Sequence, residues 1–364
     1  MKSFRFFSLI LCASAALAAD ESPDVISSQG RVRIGGVYQS WSVTDTLRLS
    51  ESSFPVEIYY PLNRNAAMTV SLGAASVTSG QFSSLSGISD AQVSANYYME
   101  DRNLLLNLGI GLPTGKRELK AEEFATSIGL SSSFFNYRVP VFGQGFSISP
   151  GITWAKPLND QTVLGLGASY QHKGGYVPME GMKTYKQGAE LLLTGGIDYQ
   201  TSDVSAVSLD LTVTVYGKDV YDDADMMKSG AKVMAAGQYK QYMGYDLLWL
   251  FGRFRSRSKS VIYMPGTDAE FKMQRDEFET MVRYRRRLNP QTALNYSVEA
   301  RYFFKTDEIT QGYQAGVGFG PERQVSPEMK LKGELKVFRG RDYSLHDTKW
   351  LTGFEIGGGL EYTF

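Results

Sequence analysis

The side chains available for chemistry in this chain are carboxylates, guanidinium groups and ammonium groups, with very few imidazoles or thiols. His172 and His346 are its two histidines, and Cys12 is its single cysteine. A hydrolase needs a nucleophile or an activated water beside a base. His172 stands in Tyr170-Gln171-His172-Lys173-Gly174, and His346 follows Ser344 and precedes Asp347. Neither belongs to a nucleophile motif, so solvated histidines are expected and no enzyme. Asp222, Asp223 and Asp225 could gather a divalent cation. They lack the glycine and distal glutamate of a calcium loop, which favours a solvated acidic tip. One cysteine cannot build a thiolate zinc site or a disulfide framework. No metal and no cofactor are expected. With 38 basic and 38 acidic residues the net charge is zero. That leaves no excess to neutralise phosphates and argues against nucleic-acid binding.

The charges worth placing recur at two-residue spacing. Glu279, Arg283, Arg285, Glu299, Arg301, Lys332 and Glu334 alternate with apolar residues, as do Lys330, Lys336, Glu355 and Glu361. In an extended strand, residues two apart share a face. These groups would then line one surface, either pairing with one another across a wet interior or orienting a passing solute. Both readings stand at this point. Early alternating segments offer smaller groups on the same side: Thr69, Ser71, Gly73, Ala75, Gln92, Ser94 and Asn96.

The elements that must carry these faces are therefore strands. Leu104, Leu106, Leu108 and Ile110 alternate with other residues, as do Leu331, Leu335 and Val337 with Lys330, Lys332, Glu334 and Lys336. The last such run places Phe354, Ile356, Leu360, Tyr362 and Phe364 on one face. The longest apolar run after the N-terminal segment is Leu247-Leu248-Trp249-Leu250-Phe251, far short of the ~20 residues of a spanning helix. Alternating runs such as 294–305 and 330–338 instead match the ~9–11 residues of a tilted transmembrane strand. Tyr59-Tyr60, Tyr97-Tyr98, Trp154, Tyr170, Tyr199, Tyr216, Tyr302 and Tyr362 mark the strand ends, where aromatic girdles belong. Short polar turns near 63–65, 100–103, 159–161, 201–203 and 288–291 alternate with longer segments near 77–87, 113–145, 173–186, 218–228, 257–269 and 341–348. Tight turns at one end and long loops at the other predict an all-β, antiparallel transmembrane barrel of about 16 strands (14 to 18), with both termini periplasmic.

The N-terminus predicts export. Lys2 and Arg5 precede an apolar stretch over 6–16, and Ala16-Leu17-Ala18 supplies the small residues before a cleavage site. The expected organisation is a signal peptide at 1–18, a short periplasmic segment at 19–29, and a barrel over 30–364 with a long outer loop at about 113–145. Within that loop Ala121, Phe124, Ala125 and Ile128 fall at helical spacing. Phe134, Phe135 and Phe142 follow. So much apolar area is unfavourable in water. The loop should fold into or over the barrel mouth as a gate or a hydrophobic entry site.

The cleaved leader, the alternating strands and the terminal Glu361-Tyr362-Thr363-Phe364 resemble Gram-negative outer-membrane β-barrels over the whole chain. That resemblance implies that Tyr362 and Phe364 form an assembly signal read by the barrel-assembly machinery. It also implies a setting of outer-membrane lipid and lipopolysaccharide. Asn107-Leu108-Gly109-Ile110-Gly111-Leu112-Pro113-Thr114-Gly115-Lys116 is similar to a strand-to-loop junction of the phenol-degradation meta-pathway (MetA-pathway) transporter family, relatives of long-chain fatty acid channels. About a dozen residues between the cleavage site and Arg31 leave no room for a hatch domain of the fatty acid channel kind. The expected function is passive passage of small solutes, with a lean toward apolar or aromatic compounds. A non-conducting barrel whose outer loops meet a partner is the alternative.

Overall fold

A computed structural model describes residues 26–42, 48–80, 82–264, 266–307, 309–343 and 350–364. The expected signal peptide and His346 lie outside the described residues. Among those described, no helix is long and apolar enough to cross a membrane. The long elements are strands of 9 to 14 residues.

Sixteen of them form the barrel. The first eight are β1 (Arg31–Ser42), β2 (Arg48–Pro61), β3 (Ala66–Ser79), β4 (Ala91–Met99), β5 (Leu104–Leu112), β6 (Ser147–Pro157), β7 (Thr162–Lys173) and β8 (Glu190–Ser202). The rest are β9 (Ser205–Tyr216), β10 (Lys232–Met243), β11 (Asp246–Arg257), β12 (Glu277–Asn289), β13 (Thr292–Phe303), β14 (Gly312–Gln324), β15 (Met329–Asp342) and β16 (Leu351–Thr363). Each pairs antiparallel with its neighbours in the chain, and β16 returns to β1 in register from Arg31↔Thr363 to Ser42↔Thr352. Past that seam Gly30 and Phe364 exchange both backbone hydrogen bonds at 2.9 Å. A Cβ on Gly30 would stand 2.5 Å from the Phe364 ring, so glycine lets that ring lie across the seam. Closure leaves no strand edge unpaired in lipid.

Alternation decides the two surfaces. Leu106, Leu108, Leu209, Val298, Val317, Leu331, Leu335, Val337 and Ile356 are exposed on the outside of the barrel. An apolar belt of this extent around a closed barrel is a membrane-facing surface. The inner surface carries the charges of the intervening positions. Short turns cluster at the end that holds both termini. Asn63, Asn159 and Asn289 each follow a leucine there, and each side-chain oxygen accepts from the backbone N–H two residues on. This Asx geometry is a local device for a tight reversal.

Two features distinguish the opposite, loop end. Short strands continue β7–β12 beyond the barrel as a second sheet: Gly175–Tyr176, Tyr185–Lys186, Lys218–Tyr221, Ala224–Lys228, Ser260–Ile262 and Ala269–Phe271. The rim is therefore raised on that side, where sequence periodicity predicts only long loops. Residues 85–88, expected within a loop, fold back onto β3 from Ala74↔Ile88 to Val77↔Leu85. The second feature is the segment 113–146, which turns into the barrel.

Candidate functional site

The inserted segment builds the apolar core of the molecule. A 3-10 turn (Ala121–Glu123) leads into a helix, α1 (Phe124–Ser131), as the spacing predicts. Leu130, Phe134, Phe135, Tyr137, Val139 and Phe142 are buried against Trp41, Leu49, Ala75, Val77, Leu85, Phe303, Phe338 and Leu351. Those partners lie on the loop-end halves of β1–β3, β13, β15 and β16 and on the strand that folds back onto β3. Trp41 stacks on Phe338 with ring centroids 5.4 Å apart, and Phe134 approaches Phe303 at 5.4 Å. Each buried aromatic is worth roughly 1.5–3 kcal/mol, enough to hold a segment that would otherwise be unfavourable in water.

Phe124 and Ile128 depart from the expectation that they anchor the helix. They are 46% and 56% exposed, while Thr126 and Leu130 are the buried helix residues. Thr126 Oγ1 donates to the Ser83 carbonyl at 2.7 Å. The aromatic run after the helix supplies the burial and sets the helix rotation, so its apolar stripe is left toward solvent.

Polar bonds fix the seat. Arg138 and Val139 donate their backbone N–H groups to Glu51 Oε1 at 3.1 and 3.2 Å. Gln39 Nε2 donates to the Phe135 carbonyl at 2.7 Å, and the Tyr137 hydroxyl to the Leu49 carbonyl at 2.6 Å. The Arg138 guanidinium meets Glu355 at 2.6 Å and Glu334 at 3.6 Å. Nearer the loop's start Lys116 Nζ meets Glu123 at 2.6 Å, and the Lys120 N–H donates to Glu123. Burial raises the Glu123 carboxyl pKa, but the bonds from Lys116 and Lys120 outweigh it and hold it below the ordinary 4.5. Leu119 bridges to Met179 and so ties the segment to the raised rim.

The lumen charges foreseen from the alternation all stand on inner faces, and most have partners. Arg301 meets Glu277 at 2.5 Å, and Arg255 pairs with the same carboxylate. Arg253 pairs with Glu279, and Arg285 meets Glu322 at 2.7 Å. Glu334 meets Lys336 at 3.1 Å, and Lys336 lies 3.9 Å from Glu299 and from Glu355. Lys332 and Lys330 approach Glu361 and Glu322 at 3.9 and 3.7 Å. Arg283 instead lies over the Trp249 ring, 5.4 Å from its centroid. Alternation did not single out Arg138, Glu51, Gln39, Glu277 or Glu322. Arg138 carried a usable signal: an arginine flanked by apolar residues in a segment that must bury itself needs a carboxylate inside.

Of the remaining candidates, His172 is exposed on β7. Asp225 is held by Lys218 at 2.5 Å and Asp222 by Lys183 at 3.5 Å. No cluster of metal-ligating side chains occurs among the described residues.

No protein-family model matches the chain, and no curated protein matches it. Solved structures do. A bacterial polysaccharide outer membrane secretin is similar over 92% of this chain and 98% of its own, at 10% identity and a TM-score of 0.51. OprB of Pseudomonas putida is similar over 92% and 94%, at 10% identity and a TM-score of 0.50. An outer membrane channel from Pseudomonas putida F1 is 10% identical over 92% and 95%, with a TM-score of 0.37. The fold is that of an outer-membrane β-barrel, in agreement with the apolar belt.

Proposed function

We propose that the chain is an outer-membrane channel for the passive passage of small solutes, favouring apolar or aromatic ones. What carries this reading is the one-sided seat of the inserted segment. The contacts of residues 134–139 run to β1–β3, β13, β15 and β16. On β11 and β12, the strands next to that seat, inward side chains such as Arg253 and Glu279 keep 26% and 24% of their surface accessible. A segment held against one wall narrows a water-filled barrel and leaves a charge-lined passage beside it. Phe124 and Ile128, exposed on α1 at the loop end, support the lean toward apolar compounds, because they offer a surface on which such a solute can rest. The residues at 107–116 that resemble the meta-pathway transporters point the same way.

On this reading the termini and short turns face the periplasm, and the raised rim faces outward among lipopolysaccharide. No chemical step is required of the protein. Purified protein in planar bilayers should show discrete conductance steps, and liposomes should swell faster with small aromatic acids than with sugars of similar size. Silent bilayers would leave the alternative, a closed barrel whose outer loops meet a partner.

A further inference from the structure

The longest apolar run of the mature sequence, 247–251, does not simply face lipid. On β11 Leu250 is exposed outward, as is Phe254. Trp249 and Phe251 share the inner face with Arg253, Arg255 and Arg257, whose ion pairs and hydrogen bonds point into the barrel. Trp249 faces Arg283 of β12 and Phe251 faces Met281. Both rings are half-buried. Aromatic side chains of a membrane barrel normally gather at the lipid interfaces. Two on a water-filled, charged inner wall expose apolar surface unless something covers them.

Their setting is ordered. Trp249 Nε1 donates to Gln238 Oε1 at 3.2 Å, which pins the indole. The Phe251 ring lies beside it, with centroids 6.0 Å apart at 52°. The Arg283 guanidinium covers one side of the indole at 5.4 Å. Its neighbours Arg253, Arg285 and Arg301 each hold a carboxylate. Among the described residues no carboxylate lies within ion-pair distance of Arg283, and Glu334 acts on it only from farther away. A stacked guanidinium keeps its N–H groups at its edge, where they can grip a carboxylate with two parallel bonds.

We propose that Trp249, Phe251 and Arg283 form a binding station for aromatic carboxylates on the lumen wall. The ring of the solute stacks on the two aromatic side chains while its carboxylate takes the guanidinium edge. The station lies on β11 and β12, beside β13 of the wall that seats the inserted segment, and its side chains face the lumen. This deepens the channel reading by adding a negative charge to the solute, and it rests on that reading for its transport role alone.

The test is equilibrium dialysis of radiolabelled benzoate against the full folded chain in detergent micelles, with empty micelles as the blank. Saturable binding is expected, with acetate competing at least about tenfold more weakly because it lacks a ring. Trp249→Ala should weaken benzoate at least about tenfold, while Trp249→Phe recovers part of the loss. Arg283→Gln should weaken benzoate by a similar factor and leave benzyl alcohol within about twofold. Trp350→Ala, outside the station, should change nothing. Heat-modifiable electrophoretic mobility identifies any variant that has not folded. Non-saturable binding, equal competition by acetate, or variants that bind as wild type would overturn the station. A protein that binds benzoate in this pattern yet carries no current would keep the station and end the channel reading. One that conducts without binding would do the reverse.

Discussion

Glu123 ties a charge to the seat of the inserted segment. Its carboxylate caps the turn before α1 and holds Lys116, and these bonds keep its pKa below the ordinary 4.5 despite burial. A carboxyl with a depressed folded pKa contributes stability above its unfolded value and loses it as pH falls through the folded one. The start of the segment should therefore loosen in acid, below about 4.5. Conductance recorded from pH 7 to pH 3.5 should show added flicker or a step at the acid end in wild type. Glu123→Gln should show the altered behaviour already at pH 7, with a flatter acid response. An unchanged trace in wild type would mean that this contact does not hold the segment.

At the scale of elements, the two faces of β15 offer a direct contrast. Leu335 is exposed in the apolar belt, whereas Lys332 faces inward near Glu361. Replacing Leu335 by Arg should cost roughly 2–4 kcal/mol if it lies near mid-bilayer. Lys332→Ala should cost well under that, because a wet ion pair contributes little. Equal losses of folding free energy in lipid vesicles would contradict the assigned faces. The inserted segment gives a second test. Removing residues 118–142 with a short glycine linker takes away the buried aromatic side chains and the Arg138 bridge to Glu355. Single-channel conductance should rise, and the preference for aromatic acids over sugars should fall. Unchanged values would make the segment structural only.

For the molecule as a whole, closure is the decisive event. The β1–β16 seam ends in paired bonds between Gly30 and Phe364, and the Phe364 ring lies 6.3 Å from both Tyr60 and Tyr362. Deleting Phe364 removes the last pair and leaves that end of the seam open at the turn side. Less protein should reach the outer membrane, and the part that does should lose heat-modifiable mobility at a lower temperature. Normal accumulation would show that the terminal ring is dispensable.

The barrel itself was legible in the sequence because its information is local. A period of two names the face, short polar stretches name the turns, and the parity of short and long connections fixes where the termini meet. Lys332, Glu334 and Arg301 declared their inner face through their own apolar neighbours. What they pair with was not local, since strand register and neighbours across the lumen depend on closure. Arg138 and Glu355 lie 217 residues apart and meet only when a loop folds back onto the seam. Phe124 and Ile128 show the limit from the other side. Helical spacing marked them as an apolar stripe, but the burial of Phe134, Phe135 and Phe142 turned the helix and left that stripe exposed. Only the closed barrel decided which wall the segment covers, because that is settled by packing between residues far apart in the chain.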